Sequence, residues 1–156
     1  MDLVLSDGPM RPNTNVRAFN HFLGACDVAF YGTARLVASL LKKFPRSLDG
    51  APILLPTDSI AMRPSLDVWF ETQRIRPVVV GEFDDFSLLR VFGEAGMGIV
   101  PAPSVLDEEM RRRYGFKSVG RTKSIRFSFY AISVERKIKD PAVAAICESA
   151  RQELLG

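Results

Sequence analysis

Oxygen-bearing side chains gather at three places along these 156 residues, and each place follows a short apolar run. Ser6-Asp7-Gly8 follows Leu3-Val4-Leu5, Thr57-Asp58-Ser59 comes just after Ile53-Leu54-Leu55, and Glu82, Asp84 and Asp85 lie just beyond Val78-Val79-Val80. Continuous apolar runs of this length read as buried strands. Loops at the carboxyl ends of parallel strands are where α/β proteins hold ligands, and the N–H groups of a helix starting there attract small anions. Ser6-Asp7-Gly8 and Thr57-Asp58-Ser59, as loops on two facing lobes, would make a cleft suited to a small ligand. Carboxylates are also the oxygen donors that hard cations take, which makes Glu82, Asp84 and Asp85 a candidate weak cation site. The plainer reading of Thr57-Asp58-Ser59 and of Asp84 or Asp85 is helix capping, where short oxygen-bearing side chains and negative charge suit the free N–H groups.

Other chemistries lack their residues. His21 is the only histidine and falls in a strand-like stretch, and no Gly-x-Ser-x-Gly occurs, so a Ser-His-Asp hydrolase has no parts to work with. Cys26 and Cys147 stand far apart, give no metal-ligand spacing, and read as small buried apolar residues. Gly93, Gly96 and Gly98 follow a helix and precede a strand, the reverse of a dinucleotide-binding loop, and read as a tight turn. The basic group Arg111, Arg112, Arg113, Lys117, Arg121, Lys123 and Arg126 could meet phosphates. Asp107, Glu108 and Glu109, one helical turn before the arginines, favour a solvated helix end instead. With no nucleophile, base and metal set in one place, the chain reads as a non-enzyme that needs no cofactor.

Positioning those loops takes an α/β framework. At 47% hydrophobic and 25% charged residues the chain has the makings of a packed core, which excludes a disordered protein. Two cysteines exclude a cystine-stapled scaffold. A net charge of +3 is too small to argue for nucleic acid. Met1-Asp2-Leu3-Val4 lacks the basic start of a signal peptide, and no run approaches the ~18 apolar residues of a membrane span. The chain reads as cytoplasmic, with no membrane partner.

Strands are predicted over 2–7, 16–23, 28–31, 53–55, 76–81, 99–100, 116–120 and 127–134, the run at 78–80 as a buried one. Helices are predicted over 34–44, from Ser59 or a few residues later through Gln73, from Asp84 or Asp85 to Gly96, over 104–114, and from Asp140 onward. Pro64 is tolerated only near a helix start, Ser104 with Asp107 resembles a capping box, and Gly115 sits where a C-terminal glycine belongs. Strands alternating with helices predict mostly parallel sheets. Breaks at Gly24-Ala25 and Gly120-Arg121 predict a second lobe, residues 25–120, inserted into a first made of 1–24 and 121–156. An opening on a buried strand suggests that the first lobe is partial and that the chain continues a larger protein.

The order and spacing of several of these stretches resemble the effector-binding domain of LysR-type transcriptional regulators. They are Asp2-Leu3-Val4-Leu5-Ser6-Asp7, Leu54-Leu55-Pro56-Thr57, Arg63…Leu66-Asp67…Trp69-Phe70 and Ala95-Gly96-Met97-Gly98-Ile99-Val100-Pro101. Ser6-Asp7-Gly8-Pro9, Phe19-Asn20-His21-Phe22-Leu23-Gly24, Gly81-Glu82-Phe83-Asp84-Asp85 and Tyr130-Ala131-Ile132-Ser133-Val134-Glu135-Arg136 resemble a branch that activates a sodium/proton antiporter gene. The resemblance implies a two-lobed fold like the type 2 periplasmic binding proteins, with parallel and mixed sheets and the effector held between the lobes. It also implies a homo-oligomer that reaches DNA only through an N-terminal winged helix-turn-helix that this chain lacks. Carried over, Ser6, Asp7 and Gly8 fall on one cleft wall and Thr57, Asp58 and Ser59 on the other, with Phe83, Asp84, Gly98 and Val100 nearby. Ser6 and Gly8 stand where carboxylate-binding relatives carry Lys or Arg, so an organic-acid ligand is not carried over; the resemblance to the antiporter-gene branch implies a small cation such as sodium as effector. The competing function is a free-standing solute-binding protein of the same fold, which would need an export signal.

Overall fold

The computed structural model describes residues 4–6, 19–133 and 152 of the chain. The chain divides into two compact units, Asp27–Ile125 and the pair of segments Met1–Cys26 and Arg126–Gly156. Two long strands, β2 (Phe19–Gly32) and β6 (Lys117–Ser133), contribute residues to both units. In the discontinuous unit, β1 (Val4–Ser6) pairs antiparallel with Tyr130–Ile132 of β6. There the Phe22 ring meets Tyr130 edge-on at 5.8 Å, and the Arg126 guanidinium donates to the Ala25 carbonyl at 3.4 Å.

The continuous unit carries the larger described core. Val28–Tyr31 of β2 pairs antiparallel with β5 (Val100–Pro103), and β3 (Pro52–Pro56) pairs parallel with β4 (Val78–Phe83). Ile99 joins the two pairs: its N–H donates to the Pro52 carbonyl and its carbonyl accepts from Leu54 N–H, both at 2.8 Å. Successive side chains of a strand face opposite ways, and Phe30 and Tyr31 lead into two different layers. Tyr31 joins Leu54, Leu89, Val100, Met110 and Phe116 in one core cluster. Phe30 stacks on Trp69 at 5.4 Å, with Phe44 and Phe70 against them.

The helices cover these layers by periodicity. In α2 (Met62–Gln73) the buried residues Met62, Leu66, Trp69 and Phe70 recur at i, i+4, i+7 and i+8. Pro64 falls in its first turn, where a missing N–H costs nothing. Asp85 caps α3 (Phe86–Glu94), accepting from Ser87 N–H at 2.6 Å and Leu88 N–H at 3.4 Å. Gly93 of α3 lies flush on the sheet, where a Cβ would collide with Val100 Cγ2. Gly115 takes a left-handed φ of 72° just beyond α4 (Asp107–Arg112).

Several sequence expectations change. Gly24 and Gly120 do not interrupt their strands, since β2 and β6 run through both. Gly120 marks a close approach: the Phe44 ring lies where its Cβ would be, 2.6 Å from Cδ1. Helix α1 (Ala34–Ala38) stops well short of Phe44, and Leu40 lies in a turn and Leu41 in a bend. Thr57, Asp58 and Ser59 do not cap α2, whose N-cap is Ala61 with no side-chain bond. Ser104 opens a short 3-10 turn rather than a capping box. Val78, Val79 and Val80 are exposed at 54, 44 and 44%, because among the described residues β4 pairs with β3 alone. The helix predicted from Asp140 onward lies outside the described residues except at Gln152, which is helical.

Candidate functional site

The carboxyl ends of β3 and β4 form a polar rim. Their register sets Pro56 beside Phe83, and Thr57 N–H extends the ladder to the Phe83 carbonyl at 2.9 Å. Thr57 and Asp84 therefore emerge side by side. The Thr57 hydroxyl donates to Asp84 Oδ1, the Ser59 hydroxyl reaches the same oxygen at 3.4 Å, and the two hydroxyls are 2.8 Å apart. Asp58 is exposed next to them. Each hydroxyl can accept as well as donate, so Thr57, Ser59 and Asp84 form a compact set of oxygens facing water.

The other acidic residues of the rim are committed elsewhere. Arg63 of α2 is mostly buried, with 15% of its side chain exposed. Its Nη1 donates to the Pro56 carbonyl at 2.8 Å and to Glu82 Oε1 at 3.1 Å, and its Nε donates to Asp67 at 3.0 Å. Burial weakens its hold on the proton, but the bonds and charges of Asp67 and Glu82 outweigh that and raise its pKa. Asp85 is the α3 cap. Glu82, Asp84 and Asp85 thus point to a guanidinium, to hydroxyls and to backbone amides. Among the described residues, no group of three His, Cys, Asp or Glu side chains stands ready to hold a metal ion.

The remaining candidates do other work or fall outside. Val100 is fully buried in the core. Gly98 is also buried, and a Cβ there would press on Leu54, Val80 and the Ile53 backbone at 3.2–3.3 Å, so its smallness serves packing. Phe83 packs on Phe92 at 5.2 Å and against the core. Ser6 ends β1 opposite Tyr130, and Asp7 and Gly8 lie outside the described residues. The basic run on α4 is answered pairwise: Arg111 to Asp107 at 2.9 Å, Arg112 to Glu108 at 2.9 Å and Arg113 to Glu109 at 3.1 Å. A groove of about 430 Å³ runs along α2 over Trp69, between Pro64 and Ser124, but its lining carries no charge.

A second polar set lies deeper. The Tyr31 hydroxyl donates to Asp107 Oδ1 at 2.8 Å, and burial first, then that bond, pushes the phenol pKa above its usual range. Asp27, on the same face of β2, pairs with Arg121 of β6 at 3.4 Å. The bridging role of Arg63 has only a faint sequence signal, the i,i+4 spacing to Asp67, because its other partners lie in β3 and β4.

Residues 35–155 match the model of the LysR substrate-binding domain. The chain belongs to that family. Over 149 residues it is 29% identical to the transcriptional activator protein NhaR of Escherichia coli and to that of Shigella flexneri. The match covers 96% of the chain and 48% of NhaR, so the chain spans about half the length of these curated relatives. Among solved structures, the reduced regulatory domain of OxyR2 from Vibrio vulnificus superposes with a TM-score of 0.70 at 9% identity, over 99% of this chain and 72% of that one. A Citrobacter freundii effector-binding domain gives 0.69 at 16% identity, over 99% and 75%. Vibrio fischeri DarR in complex with DNA gives 0.66 at 15% identity, over 96% and 51%. The fold is therefore that of LysR regulatory domains, the α/β class of type 2 periplasmic binding proteins; the pairing is mixed, as the resemblance implied, rather than mostly parallel, since β1–β6 and β2–β5 are antiparallel and β3–β4 parallel.

Proposed function

We propose that this chain is the effector-sensing and oligomerisation domain of a LysR-type transcriptional regulator of the NhaR kind, controlling a sodium/proton antiporter or cation-stress gene. In this reading Asp27–Ile125 serves as the inserted lobe and the discontinuous unit as the first lobe. The domain is cytoplasmic and catalyses nothing. DNA is reached through an N-terminal portion of the parent, a reading supported by a neighbour of the same fold, DarR, having been solved in complex with DNA.

The observation that carries the sensing role is the oxygen set of Thr57, Ser59 and Asp84. Without an ion the two hydroxyls turn their hydrogens to the carboxylate; beside a small cation they can rotate and present lone pairs, which suits a weak sodium site. The oligomerisation role is supported by β4 and α3. Val78, Val79 and Val80, with Leu88, Val91 and Phe92, are exposed on consecutive elements beside an open strand edge. A second copy covering this apolar surface would shield it from water.

The test is a promoter reporter driven by the full-length regulator carrying Asp84→Asn or Thr57→Ala, with sodium and potassium chloride compared at equal ionic strength. Loss of the sodium response, or a shift of about tenfold or more in the half-maximal concentration (~1.4 kcal/mol), is expected at unchanged protein level. A wild-type sodium response in both variants would remove this rim as the sensor.

A further inference from the structure

The end of β3 and β4 away from the polar rim carries charge of the opposite sign. Gly50 N–H donates to the Arg76 carbonyl at 2.9 Å and Val78 N–H to the Ala51 carbonyl at 2.8 Å, so the approaches to the two strands lie side by side. The loop before β3 folds back onto the same place. Ser47 Oγ donates to the Leu40 carbonyl at 2.7 Å. Arg46 Nη1 donates to the Gln73 and Arg74 carbonyls at 3.2 and 3.0 Å, closing the carboxyl end of α2. Lys42, Lys43 and Arg46 of the loop thus share one exposed surface with Arg74 and Arg76 of the α2–β4 connection.

Two observations separate this patch from an ordinary solvated face. Its charges are unanswered: each arginine of α4 has a carboxylate one turn away, whereas the side chains of Lys42, Lys43, Arg74 and Arg76 make no ion pair or hydrogen bond among the described residues. Asp49, the nearby acid, is turned to the backbone N–H of Arg76 at 2.8 Å. The second observation is in the backbone. Among the described residues, Lys43 and Arg74 are the two non-glycine positions with a left-handed φ, 69° and 56°. Glycine takes that conformation at least cost, and at Arg74, which closes α2, it is the usual choice. Both positions hold a long cation instead. Strain kept at an exposed position with no internal partner points to a use outside the chain.

We propose that this surface docks an acidic segment of a partner protein that also carries a large apolar side chain. Lys42 and Lys43 follow Leu41, whose side chain is 56% exposed, so an apolar group stands beside the cations. Asp49 and Glu71 are exposed within the patch. A phosphate backbone would be repelled by both acids and has no use for Leu41. A peptide segment can set its carboxylates on the cations and cover the leucine. Exposed charge pairs add little affinity, so the surface gives fast, oriented and weak association. The proposal concerns a face of the continuous unit alone and does not depend on what the rim binds.

The experiment is fluorescence anisotropy of the full chain with a labelled peptide of Asp-Leu-Glu-Asp repeats. A Kd on the order of 10⁻⁴ M or tighter is expected at low ionic strength, weakening as salt is added. Lys42→Glu with Lys43→Glu should weaken it about tenfold or more. Lys43→Gly with Arg74→Gly should also weaken it, roughly fivefold, while the thermal unfolding midpoint stays level or rises, because glycine suits both backbone positions. A purely structural role could not lose binding and keep stability together. Arg112→Gln, at an α4 side chain 82% exposed, should leave binding unchanged. Absence of binding by the wild-type chain overturns the proposal, and so does equal binding of a peptide with serine in place of leucine. An equal loss in Arg112→Gln overturns it as well, since any surface cation would then serve. Tighter binding of a labelled DNA duplex, lost in the same patch variants, would give the surface to nucleic acid instead.

Discussion

Asp84 and Asp27 are the same residue solved in opposite ways. Asp84 is exposed at a strand end and held by two neutral hydroxyls, so its charge is oriented but not cancelled. Asp27 is buried and faces a guanidinium, so its charge is cancelled and its position matters. Glu82 lies between them, half exposed but ion-paired with Arg63. The difference separates carboxylates that can change partners from those that cannot. A rim carboxylate that exchanges hydroxyls for a ligand keeps its surroundings; a buried one that loses its partner must be accommodated by the fold.

That contrast can be broken from the side of the body first. Phe30→Ala, in the stack with Trp69, Phe44 and Phe70, should destabilise the continuous unit by about 3–5 kcal/mol, read by urea unfolding. If the loss is no larger than that of a rim variant, the body is not the rigid partner in the comparison. Gly93→Ala should cost about 1–3 kcal/mol, because Val100 and Phe116 cannot retreat from a new methyl group without moving the sheet.

Tyr31→Phe tests the buried polar set and should cost ~1 kcal/mol near neutral pH. Its pH dependence has a definite sign. The folded phenol pKa is raised, so the native state holds the proton more tightly than the unfolded chain does. The stability this contributes is fully present below the ordinary phenol value, about 10, and declines as pH rises above it. The wild-type chain should therefore lose stability more steeply than Tyr31→Phe above about pH 10. Parallel curves would detach Tyr31 from the alkaline limb. Asp85→Ala should cost about 1 kcal/mol through the lost α3 cap, measured by thermal unfolding. Asp84→Asn should change stability by less than about 0.5 kcal/mol while altering the ion response, which sharpens the contrast with Asp27 most directly.

Much of the framework was legible in the sequence because it is written in local spacing. The α2 stripe from Met62 to Phe70, the late helix start at Pro64, the Asp85 cap and the acidic-to-basic ladder of α4 follow from residues within two turns of one another. The misreadings share a different cause. Val78-Val79-Val80 looked like a buried strand because an apolar run does not say how many neighbours its strand has. Gly120 looked like a break because the ring that needs its small size comes from Phe44, far away in sequence. Gly98 and Val100 were set near the cleft by the resemblance, yet Val100 belongs to the core cluster and Gly98 is buried against Leu54. At the rim, only the pairing of β3 with β4 brings Thr57 and Ser59 to Asp84, and no periodicity encodes that meeting.

The exposed valines of β4 and the apolar face of α3 add little to the cohesion of a single copy, since water still touches them. If a second copy covers them, that stabilisation enters by mass action, and the midpoint of unfolding then depends on how concentrated the protein is. Dilution would act on this domain as a mild denaturant. The amount of regulator in a cell would then set how long each copy lasts as well as how many are present.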